Sequence, residues 1–169
     1  MLQVGDKAPD FLLKGYLKNR IKDYSLKEFK NKWIVLFFYP ADFTFVCPTE
    51  ITSLNTRVED FKKVNTIILG ISVDGIYAHQ KWAEELGGLD FTLLSDFHKR
   101  TSRDYNVLVE DEGMALRGTV VIDTEGVIRS MSVSDNDIGR STDELWRVVN
   151  ALQTGKMCPA NWKPGDATL

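Results

Sequence analysis

Two apolar runs constrain this chain more than any other feature: WIVLFFY at 33–39 and TIILGISVD at 66–74. Both are short and almost free of polar residues, which suits strands buried on both faces, as in a parallel sheet. Between them Ile51, Leu54, Val58, Phe61 and Val64 recur at intervals of three and four. That spacing predicts one amphipathic helix. Strand, helix, strand is the βαβ unit of an α/β fold.

The rest of the chain fits around that unit. Residues 11–24 read as a short two-stranded excursion with Gly15 and Asn19 as turn residues. SLKE, Ser25 to Glu28, has the capping-box spacing of a helix start. Residues 76–86 read as a helix ended by Gly87 and Gly88. FTLLSD at 91–96 is a short strand, and 97–105 a short helix. GTVVID and VIRSMSV flank TEG as a hairpin. A second capping box, Ser141 with Glu144, opens a last helix with Leu145, Val149 and Leu152 as its stripe. The expected architecture is an α/β sandwich with a central mixed sheet.

At 169 residues the chain is expected to form one domain. A chain of that size buries roughly 68–70% of its unfolded surface and needs no disulfide or metal staple. Net charge is −3, which points to no nucleic-acid or acidic-membrane partner. No apolar run is long enough to span a bilayer. Asp6, Lys7, Asp10, Lys14, Lys18 and Arg20 interrupt the first twenty residues, which leaves no apolar core for a signal peptide. The expected compartment is the cytoplasm, where cysteine pairs tend to be transient or catalytic.

The chain has two cysteines. Cys47 lies in FTFVCPTE, between the first buried strand and the helix that follows. Pro48 suits a first helical turn because its missing N–H is not needed there, and Glu50 suits the positive end of a helix. A helix N-terminus or a nearby cation lowers a thiol pKa from about 8.5 to as low as about 3.5–7.5, and only the thiolate is nucleophilic. A lone cysteine beside an apolar strand is also commonly a small buried hydrophobe, and position alone leaves both readings open. Cys47, Cys158, His79 and His98 show no metal-ligand spacing. No CxxC pair exists, since Glu50 and Asn161 stand three residues after the cysteines. His79 and His98 suit structural roles better than that of a catalytic base.

Longer motifs narrow the choice. FYPADFTFVCPTE resembles the active-site segment of the peroxiredoxins, in particular the typical two-cysteine class that includes the alkyl hydroperoxide reductase C subunit. The signature Pro-x-x-x-Thr-x-x-Cys is met by Pro40, Thr44 and Cys47. VGDKAPDF is similar to the family's opening, EGMALRGTVVID to the segment carrying the active-site arginine, here Arg117, and GRSTDELWRVVNALQ, opened by Gly139 and Arg140, to its last core helix. MCPANWKPG resembles the resolving-cysteine motif and places that role on Cys158.

The resemblance implies a thioredoxin-like fold with an N-terminal extension: a peroxiredoxin domain over 1–154 and a tail over 155–169 that carries the resolving cysteine. It implies reduction of hydrogen peroxide and alkyl hydroperoxides without metal or organic cofactor. It further implies a homodimer with an intersubunit Cys47–Cys158 disulfide, often assembled into a decamer, and recycling by thioredoxin or a flavoprotein reductase.

The residue types suit that chemistry. Thiolate attack on one peroxide oxygen expels the other as hydroxide or alkoxide. A guanidinium at Arg117 favours the thiolate and stabilises the leaving oxygen. Thr44 has a hydroxyl that both donates and accepts, and can orient the peroxide or cap the helix. Pro40 has no N–H and walls the sulfur from water or simply ends the strand. Glu50 is expected to accept from Arg117 or Arg140. The sulfenic acid left on Cys47 condenses with a thiol, and Cys158 sits in a Pro- and Gly-containing tail expected to be mobile.

Some positions depart from the family pattern. Met157 and Asn161 replace Val and Gly beside the resolving cysteine. GGLD at 87–90 stands where over-oxidation-sensitive members carry Gly-Gly-Leu-Gly, and the sequence runs eleven residues past Cys158 without their terminal helix. These departures point to fast disulfide formation and away from peroxide signalling. A redox-controlled holdase and a general thiol–disulfide oxidoreductase are weaker readings. Phe43 and Trp82 are aromatic residues expected near a dimer–dimer contact.

Overall fold

A computed structural model describes residues 1–169. Seven strands form one mixed sheet in the order β2-β1-β5-β4-β3-β8-β9. The strands are β1 (Leu13–Leu17), β2 (Arg20–Tyr24), β3 (Trp33–Phe38), β4 (Thr66–Ser72), β5 (Thr92–Ser95), β8 (Arg117–Ile122) and β9 (Ile128–Ser134). A small hairpin, β6 (Leu108–Val109) with β7 (Met114–Ala115), stands apart and has no apolar alternation to announce it. β3, β4 and β5 are parallel; β1 joins β5, and β8 joins β3, in antiparallel pairing.

The continuous apolar character of β3 follows from its neighbours. Val35, Phe37 and Tyr39 enter one core cluster, while Ile34, Leu36 and Phe38 enter the other. The first cluster is roofed by four helices: α1 (Cys47–Asn55), α2 (Val58–Lys63), α3 (Ile76–Glu85) and α5 (Thr142–Gln153). The second packs the N-terminal segment and the residues after the short α4 (Arg100–Asp104), through Phe11, Tyr105, Val107 and Ala115.

Three local expectations need correction. The helix expected across 51–64 is two helices, because Arg57 (φ −111°, ψ 2°) leaves helical geometry between α1 and α2. The Arg57 N–H bonds back to Leu54 rather than to residue 53, which tightens and ends the first helix. SLKE opens only a 3₁₀ turn, Leu26–Phe29, and the Ser25 hydroxyl caps nothing. The Glu28 N–H is satisfied by the Ser25 carbonyl at 3.3 Å instead. At 141–144 the predicted cap does form, with Glu144 N donating to Ser141 Oγ at 3.2 Å.

Gly15 is not a turn residue. The β1–β2 turn is Lys18–Asn19, both left-handed (φ 47° and 64°), as a tight hairpin requires. Gly15 lies mid-strand between Lys22 of β2 and Leu94 of β5. A Cβ there would stand 2.6–2.7 Å from side-chain atoms of Tyr24, Leu94 and Thr92. Gly15→Ala should therefore destabilise the fold by about 1–3 kcal/mol, the range for overpacking. Urea denaturation checks this: the midpoint should fall with the slope unchanged.

Candidate active site

β8 runs antiparallel to β3, so Arg117 at its start lies at the same sheet edge as the end of β3. Alternation puts Arg117, Thr119 and Val121 on the face that carries Phe37 and Val35. The chain leaves β3 through Tyr39 and Pro40, makes a turn at 41–46 and enters α1 on Cys47 and Pro48. Strand edge, helix start and the loop at 135–140 thus converge.

At their meeting point Cys47 is fully buried and belongs to the helix-side core. Arg117 Nη1 donates to Cys47 Sγ at 3.4 Å and to Glu50 Oε1 at 2.6 Å. Arg117 Nε is fixed by the Asn136 carbonyl at 2.9 Å. Arg140 grips the same carboxylate: its backbone N–H and Nε reach Glu50 Oε2 at 2.8 and 2.7 Å, and Nη2 reaches Oε1 at 3.0 Å. Its remaining nitrogen donates to Gly118 O (2.8 Å) and Thr119 Oγ1 (3.1 Å), and its guanidinium lies 3.5 Å over the Phe37 ring. Glu50, expected to bond one arginine, bonds both.

Burial alone would raise the Glu50 carboxyl, but hydrogen bonds from Arg140 and the charges of both arginines outweigh it and hold it below the usual carboxylate range. Arg117, Glu50 and Arg140 are nearly inaccessible to water. A charged donor bonds best to an anionic acceptor, so this arrangement offers a cation to sulfur at the site where a thiolate would form.

Other expected residues fall differently. Pro40 is buried next to the strand end. Thr44 is exposed, and its hydroxyl donates to Ala41 O at 2.9 Å rather than bonding sulfur. It is not the helix cap either, since Val46 holds that position with no side-chain bond. The tight turn, with Phe43 left-handed (φ 58°), folds the Thr44 hydroxyl back on the loop. Trp82 is buried in the core and offers no surface, although Phe43, half-exposed, leans on it at 6.4 Å. Cys158 is half-buried at the far end of α5, and both cysteines are free thiols.

Sequence reasoning missed a buried polar cluster behind the 41–46 turn. Tyr39 donates to Asp42 Oδ1 at 2.7 Å, and His79 Nδ1 lies 2.7 Å from Asp42 Oδ2. His79 Nε2 faces the Leu94 carbonyl at 2.9 Å and so carries a hydrogen. Asp42 N donates to Asp74 at 2.9 Å. Burial raises the Asp42 carboxyl, and the His79 bond pulls it the other way. Asp42, Asp74 and His79 bring ligand atoms within 4.8 Å of one another, but both imidazole nitrogens are already engaged. The cluster reads as a support for the turn. A lone aspartate and a lone histidine 37 residues apart carry no pattern that would have revealed it.

Glu50 also makes a prediction about acid. Its carboxyl is depressed in the folded state, so its contribution is present above the unfolded value, about 4.3, and is lost as pH falls from there through the folded value. Glu50→Gln should cost about 3–5 kcal/mol at neutral pH, because two buried cations lose their counter-charge. The gap between wild type and variant should narrow as pH drops below the ordinary carboxylate range, read from urea midpoints at a series of pH values. A gap that stays constant would contradict the linkage.

Comparison with known proteins agrees with this geometry. The AhpC/TSA family model matches residues 4–131, and the C-terminal domain of 1-Cys peroxiredoxin matches 151–169. Peroxiredoxin-2 of Macaca fascicularis is 45% identical over 99% of this chain and 89% of its own length. The mitochondrial thioredoxin-dependent peroxide reductase of Drosophila melanogaster is 43% identical over 98% of this chain and 75% of its own. The crystal structure of reduced Plasmodium vivax 2-Cys peroxiredoxin superposes with a TM-score of 0.93 at 40% identity, covering 98% of this chain and 91% of that one. With its thioredoxin-like sheet, the chain belongs to the AhpC/TSA family, among its peroxiredoxins.

Proposed function

We propose that this oxidoreductase reduces hydrogen peroxide and alkyl hydroperoxides through Cys47, as an antioxidant enzyme that keeps the cell's peroxide level down. The observation that carries the reading is the Cys47 sulfur, buried and hydrogen-bonded by Arg117 at 3.4 Å, with Arg117 locked by Glu50 at 2.6 Å. The Cys47 thiolate attacks the nearer peroxide oxygen. The O–O bond breaks, and the leaving hydroxide or alkoxide takes a proton to become water or alcohol. The guanidinium nitrogens are positioned to stabilise charge on the oxygens as it develops. Pro40 excludes water, and Arg140 and Glu50 hold Arg117 in place. Thr44 enters the reaction only if substrate binding turns its hydroxyl away from Ala41.

The product, a sulfenic acid on Cys47, is resolved by Cys158 of a second subunit. Geometry favours the intersubunit route. Arg140, beside Cys47, immediately precedes α5, while the Cys158 sulfur lies against Ala151 and Thr154 at its other end. Twelve helical residues separate the two ends, about 18 Å at 1.5 Å per residue. A disulfide needs Cβ atoms about 3.5–4.5 Å apart. Cys47 is also wholly buried, so the first turn of α1 must unwind to present it.

A dimer is supported by the open edge of β9, where Val133 is exposed, with Ile138 exposed in the loop that follows. Assembly of dimers into a decamer is supported by exposed aromatic residues, Phe43 and Phe45 in the 41–46 turn and Tyr77 on α3. Thioredoxin is the favoured reductant, on the likeness to the Drosophila enzyme, with a flavoprotein reductase as the alternative. No helix is long and apolar enough to cross a membrane, and we place the enzyme in the cytoplasm.

Peroxide consumption coupled to thioredoxin and its reductase tests the reading. Wild type should turn over; Cys47→Ser should be inactive, and Cys158→Ser should stop after one turnover. Peroxide should produce a dimer band on a non-reducing gel that either substitution abolishes. Equal, slow consumption by wild type and Cys47→Ser would overturn the proposal.

A further inference from the structure

The hydrogen bonds around Arg117 leave two polar groups over, one donor and one acceptor. Arg117 Nη1 is spent on Cys47 Sγ and Glu50 Oε1, and Nε on the Asn136 carbonyl at 2.9 Å, whereas Nη2 bonds no protein atom. The acceptor is Asn136 Oδ1, an amide oxygen shut away from water with no donor in reach. A buried acceptor left unpaired costs free energy and calls for an explanation.

Asn136 is held in place by its own loop. It and Asp137 are the central residues of a turn closed by Ile138 N on Asp135 O at 3.2 Å, and Asp137 N donates to Asp135 Oδ1 at 3.1 Å. Just beyond, Arg140 N anchors the loop on Glu50 Oε2 at 2.8 Å. The other side-chain oxygens nearby are engaged elsewhere. A carboxylate has about four lone-pair positions, and Glu50 receives four donors, one from Arg117 and three from Arg140. Thr44 is turned to Ala41 O. The guanidinium is planar, so Nε and Nη2 share one edge, while Nη1, with the sulfur, lies on the other side. Asn136 meets the edge to which the free Nη2 belongs.

We propose that Asn136 selects hydrogen peroxide over alkyl hydroperoxides by accepting the O–H of the leaving oxygen. This rests on Cys47 being the peroxidatic nucleophile. The sulfur attacks the near oxygen, and the far one, in line behind it, comes to the edge shared by Nε and Nη2. In hydrogen peroxide the far oxygen carries a hydrogen, so it accepts from Nη2 and donates to Asn136 Oδ1. The S–O bond forms as the O–O bond breaks, and Cys47 keeps the near oxygen with its hydrogen as the sulfenic acid. The far oxygen leaves as hydroxide and takes a proton from solvent to become water. In an alkyl hydroperoxide the thiolate attacks the OH oxygen, and the far oxygen carries carbon in place of hydrogen. Nη2 still serves it, but Asn136 Oδ1 then faces an alkyl group and stays unpaired. A site built to bond an O–H discriminates against the analogue that lacks it.

Replacing Asn136 removes the amide oxygen and leaves the backbone carbonyl on Arg117 Nε, so the test is a ratio: kcat/KM for hydrogen peroxide against kcat/KM for ethyl hydroperoxide, both in the thioredoxin-coupled assay. Asn136→Leu and Asn136→Ala should each lower the hydrogen peroxide value about fivefold, the worth of one neutral hydrogen bond. The ethyl hydroperoxide value should stay within about twofold of wild type, because the transition state for that substrate loses no bond. Asn136→Asp, which keeps an acceptor in the same place, should keep the preference for hydrogen peroxide whatever its absolute rate. An equal loss on both peroxides means that Asn136 only seats Arg117, and no loss on either means that its oxygen merely holds a water; each of these results overturns the proposal. A wild type that turns over neither peroxide is instead the failure of the peroxidase reading.

Discussion

Everything at the site depends on one buried carboxylate. Glu50 receives Arg117 on one oxygen and Arg140 on both, and none of the three groups is appreciably open to water. Buried charges persist only when paired and hydrogen-bonded. Two guanidiniums against one carboxylate leave one positive charge unmatched, and the atom beside it is the Cys47 sulfur. The cluster is complete electrostatically when that sulfur is an anion. It also joins three separate pieces of chain: the start of α1, the start of β8, and the loop that leads into α5. The proposed catalytic arrangement and a tertiary lock are here the same set of bonds.

This explains why the fold matters to the chemistry in detail. The antiparallel addition of β8 to β3 brings Arg117 to the edge where the parallel strands end. The period of two along β8 turns it toward the helices, and Thr119, on the same face, helps seat Arg140. Phe37 of β3 supplies a ring for that guanidinium to lie on. Behind the 41–46 turn the Tyr39–Asp42–His79 cluster stiffens the approach to Cys47 from the other side. The sulfur is thus approached by rigid elements on both flanks, at the head of a helix turn.

Periodicity made the sheet and helices readable, because the signals are local: β3 and β4 as unbroken apolar runs, α5 as a capped stripe. Motif order singled out Cys47, Arg117 and Arg140, which the structure brings together, and Cys158, which lies at the far end of α5. What stayed hidden was non-local. Glu50 was expected to bond one arginine; that it bonds both at once, 67 and 90 residues away, is announced by nothing in its own neighbourhood. Gly15 looked like a turn because glycine usually marks one; its reason is the crowding of three side chains from two other strands. Thr44 was expected from its place in a motif to orient the peroxide or cap the helix, but a left-handed Phe43 turns its hydroxyl to the loop's own carbonyl. Trp82, expected near a dimer–dimer contact, is buried in the helix-side core together with Ala83 of α3.

The same non-local contacts bear on how far α1 can open. Its C-terminal end is held independently of the active site. Asn55 Oδ1 accepts from Asp90 N at 2.7 Å, which ties the helix to the loop that follows Gly87 and Gly88. Just beyond, Arg57 is bonded to Asp60 and Asp143 at 2.9 and 2.8 Å and lies over Trp146 of α5. Ser53 meets Thr142 at 2.8 Å on the same seam. These contacts involve neither Cys47 nor Glu50, so they survive when the sulfur leaves its arginine. The break at Arg57 also uncouples α2 from α1. The unwinding proposed to begin at Cys47 would therefore meet a fixed stop at residues 53–57, which would confine it to the turn bearing the sulfur and leave the core beneath α2 and α5 intact.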